Sequence, residues 1–238
     1  MSKRKGAYNR RTFSLIELLI VVIIIGLLVA GVSGGISLTR NSKIRNIIDE
    51  ARIYNSAIDN FYIQFNQLPG DADISVKGSA TGDKNGKIEY INASSYSESQ
   101  IALQHMVMAN IINSNLDLYV FAVEAGEDLP EQIPGVNIPA SIIKNGGWIF
   151  DSINNINNII LTGKLSALTN IANLSQNSLG SISGIITPTY ALAIDRKIDD
   201  GVADKGKVRG LLKSCFFKST YLTTNSAREC VLAFEMSM

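Results

Sequence analysis

Residues 13 to 32, Phe-Ser-Leu-Ile-Glu-Leu-Leu-Ile-Val-Val-Ile-Ile-Ile-Gly-Leu-Leu-Val-Ala-Gly-Val, constrain this chain more than any other stretch. Nineteen of the twenty carry no charge, and the exception is Glu17. At about 1.5 Å of rise per residue, twenty helical residues cover about 30 Å, the thickness of a bilayer's hydrocarbon core. From Leu18 to Val32 the run is apolar on every face, so it cannot be the amphipathic core helix of a soluble domain. It spans a membrane or packs among copies of itself. Glu17 is the informative flaw, because a charged side chain in a spanning helix costs roughly 2.5–3.5 kcal/mol on insertion scales. Near one end of the span the carboxylate either snorkels to the headgroups or waits for a positive partner inside the membrane or an assembly.

Arg10-Arg11-Thr12 followed by Phe13-Ser14-Leu15-Ile16-Glu17-Leu18-Leu19-Ile20-Val21-Val22 resembles the N-terminus of type IV pilins and type II secretion pseudopilins. The resemblance covers under a tenth of the chain, and it is specific. It implies that a prepilin peptidase removes a short basic leader, here by a cut between Thr12 and Phe13, and that the new amine on Phe13 is methylated. It also implies that Glu17, the fifth mature residue, pairs with a neighbour's N-terminus during assembly. Elementary electrostatics agrees, since an α-amine and a carboxylate attract strongly at low dielectric and an unpaired buried carboxylate is costly. The sequence departs from the family at one position. Thr12 stands where the family has Gly, and a β-branched residue is expected to hinder a peptidase pocket shaped for Gly.

Charge supports a membrane topology. The first eleven residues hold five of the 22 Lys and Arg and none of the 21 Asp and Glu, so the remainder has 17 bases against 21 acids, a net of −4. The basic flank places the N-terminus in the cytoplasm and the following domain outside, and the acidic balance of the body argues against nucleic acid as a partner. A conventionally cleaved secretory signal fits less well: the apolar run exceeds the usual 7–15 residues, and Ala30-Gly31-Val32 does not end in a small residue.

Ser33-Gly34-Gly35 loosens the helix, and beyond it the period changes. Ile44, Ile47, Ile48, Ala51, Tyr54, Ile58, Phe61, Tyr62 and Phe65 recur every three or four residues among charged ones, which predicts an amphipathic helix stopped at Leu68-Pro69-Gly70. With no proline from Phe13 to Phe65, a single helix of about 80 Å is allowed. The expected organisation is a basic leader over 1–12, a transmembrane or filament-core helix over 13–35, its amphipathic continuation over 36–68, and an extracytoplasmic globular domain over 69–238. The expected class is α+β and pilin-like: the long helix packed on a domain with a small antiparallel sheet and short helices.

Within the body, Lys87 to Ile91 alternates and predicts a short strand. Ser97-Glu98-Ser99-Gln100 reads as a capping box opening a second helix, which contains His105, the one histidine of the chain. Leu116 to Ala125 and Trp148 to Phe150 read as strands, separated by the irregular course that Pro130, Pro134 and Pro139 impose. The Asn-rich residues 154–177 predict short strands and loops. Thr187-Pro188 predicts a third helix through Ile198, proline being favourable at the first helical position. Val208 to Phe217, Tyr221 and Cys230 to Phe234 supply the last strands.

Two groups of side chains stand out as sites. Asp195, Asp199, Asp200 and Asp204, on a glycine-turned stretch, are carboxylates of the kind that hold calcium, and pseudopilins often bind calcium in a C-terminal loop. The EF-hand spacing is absent, however, and Arg196, Lys197, Lys205, Lys207 and Arg209 lie among the acids, so a salt-bridged helix end and turn is the expectation and calcium the alternative. Cys215 and Cys230 are the chain's only cysteines. In a body outside the cytoplasm they are expected to form a disulfide worth roughly 3 kcal/mol in the chain-entropy model. With one histidine, no phosphate-binding loop, no dinucleotide fingerprint and no Cys-x-x-Cys pair, catalysis has no candidate.

The expectation is therefore a non-enzymatic, inner-membrane prepilin-like subunit with a periplasmic body. Its partners would be other pilin-like subunits, a prepilin peptidase, an inner-membrane assembly platform and the bilayer. The alternative is an uncleaved single-pass protein whose extracytoplasmic domain binds or adheres, with Glu17 a snorkelling residue. A membrane-tethered enzyme is the third reading.

Overall fold

The computed structural model of the protein describes residues 14–90, 97–113, 115, 116, 118, 131–165 and 182–237, and its class is α+β. The chain divides into two compact units, Met1–Ser42 and Lys43–Met238. Helix α1, Leu15–Phe65, runs without interruption through that division.

In the first unit, α1 starts with the Ser14 carbonyl accepting the N–H groups of Glu17 (3.0 Å) and Leu18 (3.2 Å). Every large apolar side chain from Leu15 to Leu38 is at least half exposed. Each leaves half or more of the about 1.5–3 kcal/mol of full burial unrealised in water, so the surface is built for lipid or for other apolar helices. Gly26, Gly31 and Gly35 have open space where a Cβ would stand.

In the second unit α1 becomes one-sided, as its three- and four-residue spacing requires. Ile44, Ile47, Ile48, Ala51, Ala57, Ile58 and Phe61 are buried, Tyr54 and Phe65 partly so, and Ile53 and Ile63 face solvent. Tyr62 departs from the sequence pattern: it is 40% exposed, although the periodicity places it on the apolar stripe.

The buried stripe meets a four-stranded antiparallel sheet ordered β1-β2-β6-β3, with β1 Gly147–Ile153, β2 Ile156–Thr162, β3 Val208–Gly210 and β6 Leu232–Glu235. Tyr54 packs its ring 5.9 Å from Trp148 and 6.0 Å from Phe150, and Trp148 lies 5.7 Å from Phe234. The two-residue turn joining β1 to β2 is Asn154-Asn155, at φ 56° and 62°. A hairpin turn with two left-handed residues matches the strand twist, and Asn tolerates that conformation better than any residue but Gly. The last strand, β6, inserts between β2 and β3, pairing Ile159 with Phe234 on one side and Val208 with Phe234 on the other.

β1 is an edge strand, and its outer edge is covered. Trp148 N–H donates to the Pro139 carbonyl (2.9 Å) and Phe150 N–H to Ser99 Oγ (2.9 Å). Ser99 belongs to α2, Glu98–Met108, whose N-cap Ser97 accepts from Gln100 N–H at 3.4 Å. Only half of the expected capping box forms. The Gln100 side chain turns instead to Gln132 and to the Asn137 carbonyl (3.1 Å). Helix α3, Pro188–Ile198, opens with Thr187 as N-cap, and β4 Phe216–Phe217 pairs with β5 Thr220–Tyr221 in a second, two-stranded sheet.

The strand expected over Lys87 to Ile91 does not form in the described part, residues 87–90. Its backbone donors are taken by side chains from distant elements: Ile88 N–H donates to Asn157 Oδ1 (3.0 Å), Glu89 N–H to Glu98 Oε2 (2.9 Å) and Tyr90 N–H to Asp151 Oδ1 (2.8 Å). Once three polar side chains satisfy the donors, no partner strand is needed. Of the strand expected over Leu116 to Ala125, only Leu116 and Leu118 are described, and neither is in a strand. Residues 166–177 of the Asn-rich stretch lie outside the described residues.

Candidate functional sites: the first helix and two carboxylate clusters

Thr12 and Phe13 lie outside the described residues. Glu17 occupies the first turn of α1, where a carboxylate is favoured by the helix dipole. Its apolar neighbours on every side are exposed, Ile16 at 64% and Leu18 at 62%. In lipid or in a bundle of like helices, this carboxylate would be the only charge from residue 14 to residue 39. The helix is long and apolar enough to cross a membrane.

In the second unit, the end of α3 brings three of the four expected carboxylates together. Asp195, Asp199 and Asp200 place oxygens within 4.8 Å of one another. Asp195 is buried and accepts from Gly201 N–H (3.1 Å) and the Tyr221 hydroxyl (2.9 Å). Asp199, at the C-cap of α3, accepts from Lys207 N–H, and Asp200 closes an Asx turn on Val202 N–H (2.8 Å). Asp204 points elsewhere and accepts from Ser219 Oγ (2.8 Å). The expected salt bridges are absent: among the described residues, none of the five nearby bases comes within ion-pair distance of these acids, and Arg209 donates instead to Asn158 Oδ1 (2.6 Å). Backbone N–H groups and one tyrosine hydroxyl hold the cluster.

Burial, reinforced by the charges of Asp200 and Asp199 and opposed by the two donated hydrogen bonds, pushes the Asp195 carboxyl up to about 6. An acid whose pKa rises on folding binds its proton more tightly in the folded state. Its contribution to stability is complete below about pH 4 and is lost as pH rises through 6. At about 1.4 kcal/mol per unit, reduced by solvent screening at the exposed neighbours, the effect is on the order of 1–2 kcal/mol. Asp195→Asn removes it. The stability of that variant relative to the parent should improve by this amount between pH 4.5 and pH 7.5 in denaturant titrations, and an unchanged difference would refute the assignment.

A second cluster joins Asp71, Asp83 and Glu98, again with oxygens within 4.8 Å. Reading along the chain misses it, because Glu98 comes from α2 and the other two from the loop after α1. Asp71 accepts from Asn85 N–H (2.7 Å) and Gly86 N–H (3.0 Å), while Glu98 accepts from Asp83 N–H (3.3 Å) and Glu89 N–H (2.9 Å). These carboxylates fold the loop. Burial raises the Asp71 pKa against the two hydrogen bonds that lower it. Gly70, at φ 90°, permits the close approach, since a Cβ there would stand 2.5 Å from the Glu98 carbonyl.

His105 fastens the same loop. Its Nδ1 accepts from Gly70 N–H (3.1 Å), its Nε2 lies 2.8 Å from the Ala80 carbonyl, and its ring stacks on Phe61 at 5.4 Å. Burial lowers its pKa, so it is a packed neutral imidazole. Cys215 and Cys230 form a disulfide with their Cα atoms 4.8 Å apart, and the β4–β5 hairpin lies inside the loop it closes.

No curated protein and no solved structure matches the chain. Residues 9–33 match the family model for the prokaryotic N-terminal methylation motif. The matched segment contains Glu17 and most of the exposed apolar surface of α1. The chain thus carries at its N-terminus the motif that marks type IV pilins and pseudopilins.

Proposed function

We propose that the protein is a prepilin-like structural subunit, held in the bacterial inner membrane by α1, processed by a prepilin peptidase and assembled into a type IV pilus or a type II secretion pseudopilus. The observation that carries this reading is the coincidence of the methylation motif with a helix whose apolar side chains are all exposed from Leu15 to Leu38. An ordinary anchor needs only the apolar surface. Cleavage before Phe13 would place a free amine four residues before an isolated carboxylate, and that pair would also supply a pairing rule for copies. The domain order is then leader 1–12, core helix 13–35, amphipathic helix 36–68 and periplasmic body 69–238, with other pilin-like subunits and an inner-membrane assembly platform as partners.

Mass spectrometry of the N-terminus, from cells with and without the prepilin peptidase, tests the reading. A chain that begins at methylated Phe13 only when the peptidase is present is the expected result. An intact leader in both strains would favour the uncleaved, membrane-anchored binding domain, for which Thr12 is the best support.

Asp195, Asp199 and Asp200 form the candidate calcium site within this reading. They supply three of the six to eight oxygens that calcium takes, and the absence of ion pairs to them among the described residues favours it. Asp204, bonded to Ser219, would join only by turning. Millimolar calcium at pH 7.5 should raise the thermal midpoint of the parent protein and leave that of Asp199→Asn unchanged. Equal shifts in both proteins would remove the site.

A further inference from the structure

One face of the second unit carries a cleft of about 650 Å³, within the range of small-molecule sites. Four segments meet there: the end of α1, the loop after it, the β1–β2 turn and the end of β6. Its walls are fixed. Asn157 accepts from Ile88 N–H (3.0 Å) and donates to the Gly86 carbonyl (3.2 Å), while Met236 N–H donates to the Asn157 carbonyl (3.0 Å). The opposite wall is held by Asp71 on the backbone of residues 85 and 86.

Against these walls stand four polar side chains that make no hydrogen bond within the described chain: the Tyr62 hydroxyl, the amides of Asn66 and Asn155, and the Glu235 carboxylate. Tyr62 is the residue that leaves the apolar stripe of α1, and it is 40% exposed. Asn66 and Asn155 sit at φ 53° and 62°, where glycine is the easier residue.

The chemistry of the cleft selects a ligand class. The one cation lining it, Lys84, is paired with Asp73 at 2.9 Å, so an anion has no free counter-charge. Of the two carboxylates lining the cleft, Asp71 has both oxygens taken by the N–H groups of Asn85 and Gly86, which leaves Glu235 alone, too few for a dication. What remains is two amides that each donate and accept, a phenol that does both, one acceptor and an aromatic face. That set complements vicinal hydroxyls and the polarised C–H face of a sugar ring, which packs on the negative face of an aromatic ring. We propose that this cleft binds a neutral oligosaccharide, with Tyr62 as its platform and Asn66, Asn155 and Glu235 as its hydroxyl partners. The proposal is independent of leader cleavage and of filament assembly.

The test is saturation-transfer NMR on the full chain in a zwitterionic detergent without a sugar headgroup, using maltotriose, chitotriose, lactose and sialyllactose as probes. At least one neutral probe should receive saturation, and its affinity should fall by at least about tenfold in Tyr62→Ala. Asn66→Gly and Asn155→Gly delete each amide and keep a residue suited to the left-handed backbone, so they should weaken binding while leaving the thermal midpoint in place. They also carry the test if Tyr62→Ala fails to fold. No transfer to any neutral probe, equal affinity in all three variants, or a preference for sialyllactose over lactose would each overturn the proposal.

Discussion

Replacing Trp148 by alanine should cost the second unit about 3–5 kcal/mol, a large part of the 5–15 kcal/mol by which a domain of this size is stable. Trp148 is the largest fully buried side chain, and it stands where α1 and the sheet meet, in ring contact with Tyr54 and Phe234. It also makes a polar contact that truncation would break. Its indole N–H donates to Glu50 at 3.0 Å, and the same carboxylate accepts from Ser141 Oγ (2.7 Å) and Ile142 N–H (2.8 Å). Burial, with the Glu50 charge beside it, pushes the Tyr54 hydroxyl up to about 12. Trp148→Phe separates the two losses. It keeps most of the volume and deletes the donor, so it should cost only about 1–3 kcal/mol. Denaturant titrations of the full chain followed by circular dichroism read both values. Equal costs for the two variants would mean that the hydrogen bond to Glu50, and not the filled volume, fixes this junction.

What the sequence made legible follows from how local each signal is. The turn from an all-apolar helix to a one-sided one, between Val32 and Ile44, is written in spacing alone. So are the Thr187 cap and the start of α3, because caps act within one turn. The Lys87–Tyr90 segment alternates like a strand and is not one, since its donors are claimed by Asn157, Glu98 and Asp151, up to 69 residues away. The same blindness to distance hid β6 in the middle of the sheet and the meeting of Asp71 and Asp83 with Glu98. At the end of α3 the proximity of acids and bases in sequence suggested ion pairs. The chain there instead turns its own N–H groups of Gly201, Val202 and Lys207 onto the carboxylates. Charge counting registers side chains, and the backbone donors that decide this turn carry no letter. Tyr62 shows the opposite failure. Its position fits the stripe, yet α1 rotates it toward solvent at the rim of a cleft.

On the proposed reading, Glu17→Ala should abolish filament assembly while leaving the protein in the membrane. The apolar surface from Leu15 to Leu38 is unchanged by the substitution, and removing a charge near the end of a spanning helix favours insertion, by less than the roughly 2.5–3.5 kcal/mol that a charge costs at the helix centre. Anchoring therefore improves as assembly fails, and the two effects have opposite signs. In an assembly of bundled helices, the amine of one Phe13 would be left without a counter-charge at low dielectric, and an orphaned buried charge costs about 3–5 kcal/mol. Repeated at every subunit, that cost falls on each addition step. Glu17→Gln keeps the shape and one acceptor, so it should recover only a minor part of assembly. Glu17→Lys, which sets like charges together, should recover none. The measurement is the ratio of sheared filament to membrane-bound protein for each variant, with membrane content as the internal control. Wild-type assembly in Glu17→Ala would show that this carboxylate only snorkels, and would leave the exposed apolar helix as a plain anchor.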